Sequence, residues 1–450
     1  MNARASAPLD PRDAAFTGRL AALREATRPQ IAGRVSAVVG LSVTVIGVPG
    51  RVGDLVRIGT GAEAVPAEVV AVDGERVSCL PLGPVAGIGA GAPVVATGAP
   101  LRVAVGGALR GRVLDGLGQP MDGGPPLLGC TDVSIDLDPP NAMHRPRVTV
   151  PLPLGVRAMD TLVPVGRGQR LGIFAGSGVG KSSLLSMITR GTAAEITILA
   201  LVGERGREVR EFLEKDLGPE GLARSVVIVA TSDQPPMVRL RAAFVATRIA
   251  EWFRDQGADA LLMMDSVTRV AMAQREVGLS VGEPPATRGY PPSVFALLAR
   301  LLERAGTAAT GSITGLYTVL VEGDDHNEPI ADAARSILDG HVVLDRKLAT
   351  SGHFPSIDVL ESISRVSGAV TTPGQRRDAQ QLRRLMAAHR EVRELVEIGA
   401  YVPGTNPDAD LARARWSPIN QFLRQDMDDQ TPADEAWAAL RRLLDEGDGN

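Results

Sequence analysis

The feature that most constrains this chain is the run Ala175-Gly176-Ser177-Gly178-Val179-Gly180-Lys181-Ser182, because of what flanks it. Leu171-Gly172-Ile173-Phe174 before it has the pattern of a buried strand, and Ser183-Leu184-Leu185 after it opens a helix. A strand feeding a glycine-rich loop that ends in Lys-Ser and enters a helix is a cradle for phosphate groups. Glycines let successive backbone N–H groups turn inward, and the positive end of the helix adds to their field. The pattern assigns Gly176, Ser177, Gly178, Val179, Gly180, Lys181, Ser182 and Ser183 to nucleotide binding, with Lys181 on the β- and γ-phosphates and the Ser182 hydroxyl on Mg²⁺. The strict pattern has glycine where this chain has Ala175, and a methyl is tolerated at that point.

Lysine is rare here: among 48 basic residues only Lys181, Lys215 and Lys347 are lysines. A compact ammonium on a thin stem reaches between phosphates where a planar guanidinium is too wide.

With 450 residues the chain exceeds one ordinary core, and two or three domains are expected. Charged residues at 22% and apolar ones at 44% fit a globular protein, and a net charge of −4 argues against a nucleic-acid binder. Cys79 and Cys130 are the only cysteines, so no disulfide framework is expected and a reducing cytoplasm is the simplest home. The N-terminal residues lack a signal-peptide core, and no stretch approaches the roughly 20 apolar residues of a membrane helix.

Phe16, Leu20 and Leu23 share one face of a short amphipathic helix over 13–27, placed to dock a partner or to pack on its own domain. From Ile31 to about Val95, short Val-rich runs such as Val43-Thr44-Val45-Ile46 and Glu68-Val69-Val70-Ala71-Val72 are broken by glycine and proline, and Asp73-Gly74 supplies a hairpin turn. This pattern predicts a small β-barrel. With no aromatic residue between Phe16 and Phe174, the barrel is a structural collar and not a base-stacking surface. The turn-rich stretch from Gly111 to Gly123 reads as a linker into the next domain.

Beyond it, Ile196 to Val202, Val226 to Ala230, Leu261 to Met264, Ile313 to Val321 and Val342 to Leu344 read as strands of a parallel sheet buried on both faces. Past Thr372 the strands stop, and Leu382, Leu385, Met386, His389, Val392, Leu395 and Val396 mark a helix closed by Gly399. The fold class is therefore multidomain α/β. It divides into an N-terminal segment (1–28), a small β-barrel (29–97), a P-loop core with a mainly parallel sheet (98–370) and a C-terminal helical domain (371–450).

Two carboxylates complete the chemistry. Asp265 closes the apolar strand Leu261-Leu262-Met263-Met264, where a second acidic signature holds Mg²⁺ with Ser182. Glu204 lies just past a strand end, where such folds place ligands, and is the candidate for polarising an attacking water. Arg205 beside it is a further catalytic candidate.

The run Gly203-Glu204-Arg205-Gly206-Arg207-Glu208-Val209 resembles the flagellar type III protein-export ATPases. So do Met264-Asp265-Ser266-Val267-Thr268-Arg269, Gln274-Arg275-Glu276, the stretch from Gly282 to Phe295, and Glu322-Gly323-Asp324-Asp325. The resemblance spans about residues 30 to 450. It implies a homohexameric ring, similar to the catalytic subunits of rotary ATP synthases, with ATP and Mg²⁺ bound between neighbours and Glu204 orienting water. It also implies that Arg365 in Glu361-Ser362-Ile363-Ser364-Arg365 is an arginine finger for the adjacent subunit, an element that contributes about 10³ to 10⁵ in rate. Phe354 falls where the family stacks an aromatic ring on adenine, with a core packing role as the alternative. Gly404-Thr405-Asn406-Pro407-Asp408-Ala409-Asp410 falls where the relatives turn an acidic loop toward a central coiled-coil stalk, although an exposed connecting loop has the same pattern. The implied setting is the cytoplasm beside the inner-membrane export gate, with a regulatory partner on the N-terminal segment, export substrates and chaperones, and no nucleic acid.

Three rivals follow from the same residues. A virulence-type secretion ATPase shares the catalytic parts, and the run Phe174 to Gly180 favours the flagellar branch. A non-catalytic ring subunit would lack Glu204, and an RNA translocase is disfavoured by the aromatic-free barrel and the negative charge.

Overall fold

In a computed structural model the described residues are 32–321 and 328–445; the expected N-terminal helix and the Glu322–Asp325 run lie outside them. The chain divides into two compact units, 1–99 and 100–450.

In the first unit, β1 (Ala32–Val39), β2 (Ser42–Ile46), β3 (Asp54–Ile58), β4 (Val65–Asp73), β5 (Arg76–Pro81) and β6 (Pro93–Pro100) close into a barrel in the order β1-β2-β5-β4-β3-β6. Closure removes the exposed edges that short Val-rich strands would otherwise present. Gly74 takes φ +58 in the turn between β4 and β5, a left-handed conformation that suits glycine. Val35, Val43, Val45, Val56, Val69 and Val77 fill the interior beside Cys79, whose thiol burial pushes up to about 12.

The second unit is built on a nine-stranded sheet. After β7 (Arg102–Val105) come β8 (Val113–Asp115), β9 (Thr131–Ser134), β10 (Arg170–Ala175), β11 (Ile196–Val202), β12 (Ser225–Ala230) and β13 (Asp259–Asp265). They are followed by β14 (Gly306–Thr307), β15 (Ser312–Leu320), β16 (Gly340–Leu344) and β17 (Ile357–Ser364). The sheet order is β17-β16-β10-β15-β13-β11-β12-β8, with β14 on β15 and with β7 paired to β9 separately. From β16 to β8 the neighbours along this path are parallel, and all seven residues of β11 are buried. The expected parallel strands are thus present, because both faces are covered and the sequence runs continuously apolar.

Two expectations need correction. The Gly111–Gly123 stretch is no linker: Val113 and Leu114 pair with Val227 and Ile228, making β8 the sheet's edge strand. Arg112 grips Asp122 with two 2.8 Å bonds, and Asp115 Oδ1 accepts from the N–H groups of Leu117 and Gln119, so the turn formers fold back on the strand. The Gly404–Asp410 stretch is only partly a loop. Asn406 caps a helix, Pro407–Ala414, that already contains Asp408 and Asp410. Asp410 accepts from Tyr401 Oη (3.0 Å) and Gly404 N–H (2.7 Å), while Asp408 pairs with Arg384. The expected helix through Leu382 to Val396 is present: it starts at Pro373, behind a Thr372/Gln375 capping box, and runs to Glu397 before Gly399 at φ +71. Leu395 on it is exposed.

No described helix is long and apolar enough to cross a membrane. Among the described residues the most enclosed ion pair is Arg304–Glu251, fully buried, with two 2.7 Å bonds and a third from Arg304 to the Ile135 carbonyl. Removing Arg304 leaves the buried Glu251 carboxylate with only the longer Arg248 contact at 3.6 Å. Arg304→Met is expected to cost about 3–5 kcal/mol, read as a lower urea midpoint; an unchanged midpoint would show that Glu251 finds another partner. His353 and His389 are held below the usual histidine range, first by burial and then by Arg424 beside His353 and by Arg393 and Arg413 beside His389. Such imidazoles stay neutral in the fold while the unfolded chain takes up protons, so their stabilisation is full above about pH 6.5 and falls as pH drops through that value. The melting temperature is expected to decline from about pH 7.5 to about pH 5.5, and His353→Asn with His389→Gln to flatten the decline; an unchanged slope would refute it.

Candidate nucleotide site

Parallel pairing places the carboxyl ends of β10, β15, β13 and β11 side by side, and the candidate residues leave from three of them. β10 ends at Ala175, whose carbonyl accepts from Val321 N–H and whose neighbours are Leu320 and Leu344. Among the described residues Arg288 is the only non-glycine at positive φ, so Ala175 keeps ordinary strand geometry and needs no glycine. The loop then turns through Gly178 (φ +75) and Gly180 (φ +88), with open space where a Gly178 side chain would stand. Lys181 begins the next helix, Lys181–Gly191; Ser177 and Ser182 are exposed, while Gly176 and Val179 are buried.

Lys181 Nζ lies 2.6 Å from Asp265 Oδ1 and 3.2 Å from Glu204 Oε1. Asp265 is the last residue of β13, and Glu204 follows β11 by two residues. Burial pulls the ammonium down, but Asp265 and then Glu204 outweigh it, so Lys181 is raised overall and stays charged. Two carboxylates around one ammonium leave the cluster one charge negative.

Gly203 makes the bend after β11 at φ +75, and a side chain there would strike Arg269 at 2.9 Å. The Glu204 carbonyl accepts from Ser232 N–H (3.0 Å), which fixes the backbone beneath its carboxylate. Arg205 is not brought into the cluster: its side chain is 82% exposed and its partner is Glu208 at 3.5 Å.

Three contacts were not foreseen from the sequence. Thr318, two residues before the end of β15, donates to Asp265 Oδ1 at 2.7 Å and so holds the carboxylate that Lys181 also touches. Ser356 donates to the Val179 carbonyl at 2.6 Å, tying the segment after Phe354 to the phosphate loop. Arg269 closes the space behind Gly203. A threonine in a strand or a serine in a loop carries no signal of its own, and only the pairing reveals these roles. Phe354 is 45% exposed, and its ring lies 3.2 Å from where a Gly180 side chain would begin.

Arg365 follows β17 at the other end of the sheet. Ser364 pairs with Gly340, His341 with Gly172, and Leu344 with Ala175. Arg365, opposite Asp339 and so level with Arg170, therefore sits about 16 Å along the strand axis and two strands, about 10 Å, across from Ala175 at the start of its own phosphate loop. One arginine side chain does not span that distance. Arg365 is exposed, and its backbone N–H donates to the Asp339 carbonyl at 3.0 Å.

Comparison with known proteins identifies the arrangement. Residues 155–364 match the ATP synthase alpha/beta family, nucleotide-binding domain, and residues 371–442 match the T3SS EscN ATPase C-terminal domain. The flagellum-specific ATP synthase of Bacillus subtilis is 51% identical over 414 residues, covering 91% of this chain and 94% of that protein. The assembled ATPase EscN from the type III secretion system of enteropathogenic E. coli superposes with a TM-score of 0.87 at 44% identity, covering 92% of this chain and 100% of that one. EscN in complex with its central stalk EscO gives 0.85, also at 44% identity and with the same coverage. The chain belongs to the flagellar and type III secretion ATPases of the ATP synthase alpha/beta family.

Proposed function

We propose that this ATPase energises flagellar type III protein export as a ring whose ATP sites lie between neighbouring subunits. The observation that carries the reading is the split of the machinery. Lys181, Glu204 and Asp265 meet within 3.2 Å in one chain, while Arg365 stands at the far end of the same sheet. An arginine that cannot reach its own loop can serve as a finger only in a neighbour's site.

The residues fit a nucleotide and a divalent ion. The left-handed turn at Gly178 stands in open space and leaves room for phosphates, and the cluster's surplus negative charge suits Mg²⁺, which Asp265 and the Ser182 hydroxyl would hold. When bound, Mg²⁺ neutralises developing phosphate charge. The chain's own groups do the rest. The loop's N–H groups fix the phosphates, and Lys181 turns from the carboxylates toward them. Glu204, released from the ammonium, accepts a hydrogen bond from the attacking water and orients it. Thr318 keeps the Asp265 carboxylate in place. Phe354 offers a ring to the adenine.

The flagellum-specific relative at 51% identity stands only a little above type 3 secretion system ATPases at 47 and 49%, so the preference for the flagellar branch rests on the run Phe174 to Gly180; the virulence reading keeps the same site. Glu204 at the cluster disfavours a non-catalytic ring subunit. The EscN–EscO complex supports a hexamer around a coiled-coil stalk. Of the acidic residues expected to face that stalk, Asp410 is engaged internally, which leaves the more open Asp408–Arg384 pair as the contact. The setting is the cytoplasmic side of the inner-membrane export gate, with export substrates, chaperones and an N-terminal regulator as further partners.

Glu204→Gln is expected to bind MgATP with near-normal affinity and to hydrolyse it about 10² to 10⁴ times more slowly, as read by nucleotide binding and phosphate release. Undiminished turnover would remove Glu204 from the water-orienting role.

A further inference from the structure

One buried glutamine joins the C-terminal helices to the base side of the nucleotide site. Gln425 is 5% exposed, and both polar atoms of its amide are engaged. Oε1 accepts from the Arg157 N–H at 2.8 Å, and Nε2 donates to the carbonyls of Gly155 and Asp429, each at 2.8 Å. Its backbone N–H donates to the Phe354 carbonyl at 2.9 Å. The Arg157 guanidinium grips the same segment from the other side, donating to the carbonyls of Phe422 (3.2 Å) and Arg424 (2.5 Å), to Asp429 Oδ2 (2.8 Å) and to Thr431 Oγ1 (3.0 Å).

The anchor for these bonds is itself part of the nucleotide-binding core. Gly155 packs on Gly191, the last residue of the helix that Lys181 begins, so closely that a side chain on Gly155 would stand 2.7 Å from the Gly191 backbone. Asp160 pins the loop by accepting from the N–H groups of Leu154 (2.8 Å) and Gly155 (2.9 Å). Gln425 therefore measures the C-terminal segment against the base of the phosphate-loop helix and, in that register, brings its own N–H to Phe354.

We infer that Gln425 is a positioning residue for the nucleotide base, setting where the Phe354 ring stands beside Gly180. The inference rests on the reading of Phe354 as the adenine platform. A ring that is 45% exposed is poorly fixed by its own packing, so the bond to its carbonyl matters to where it points. The Lys181–Glu204–Asp265 cluster is held from β10, β11 and β13 and by Thr318, and none of those bonds passes through Gln425. A displacement of the C-terminal helices thus reaches base binding before it reaches chemistry, and acts on KM more than on kcat.

The test is a double-mutant cycle on the full chain with MgATP as substrate. Phe354→Ala is expected to raise KM at least about fivefold, the range of lost base stacking. Gln425→Ala is expected to raise KM about three- to tenfold, with kcat within about twofold of the parent, and to add nothing in the Phe354→Ala background. Multiplying effects, or a Gln425→Ala variant that lowers kcat at unchanged KM, would overturn the inference. An unchanged KM in Phe354→Ala alone would instead remove the adenine platform on which it rests. Arg157→Gln loosens the same segment from its other side and is expected to give the same cycle, so a Gln425→Ala protein that melts early does not remove the test; additivity in the Arg157→Gln cycle would count equally against the inference.

Discussion

The ion cluster of Lys181 with Asp265 and Glu204 is the interaction around which the rest of this structure is arranged. At 2.6 and 3.2 Å in a partly buried site, the two attractions together outweigh the cost of burying the ammonium and keep it charged. The cluster exists only because three strands that are distant in sequence end together. β10 supplies the glycine-rich loop, β13 ends on Asp265, and β11 turns at Gly203 to present Glu204. Parallel pairing brings the three carboxyl ends to one edge of the sheet, and helices on its faces keep water from its backbone.

The same pairing carries Arg365 away. Because β17 runs antiparallel to β16, the end of β17 falls at the amino ends of the parallel strands. The fold thus sets Arg365 and the Lys181 cluster at opposite ends of one sheet. In the proposed ring a neighbouring copy would bring the two together, so that every subunit uses both. On the proposed reading of Phe354 as the adenine platform, the C-terminal helices enter this scheme through Gln425, whose backbone N–H holds the Phe354 carbonyl.

Much of this was legible in the sequence, and the omissions have physical causes. Strands buried on both faces, such as Ile196–Val202, read clearly because every residue is apolar or small. β8 was hidden because three residues at a sheet edge make too short a run, and the turn formers Asp115, Gly116 and Gly118 that close it look like a linker. β17 alternates buried with exposed residues, so its motif was visible while its pairing was not. Asn406-Pro407 carries a helix-start signal that the loop reading passed over. Lys181, Glu204 and Asp265 could be picked out by type and by position at strand ends. Thr318, Ser356 and Gln425 could not, since their roles depend on partners 53, 177 and up to 270 residues away.

The claim that each site is shared between subunits is tested most directly by mixing two variants, Lys181→Ala and Arg365→Ala, each inactive alone. Phosphate release measured across mixing ratios should recover and peak near equal amounts, because some interfaces then pair an intact phosphate loop with an intact arginine. No recovery at any ratio, in protein shown to assemble, would contradict the shared site.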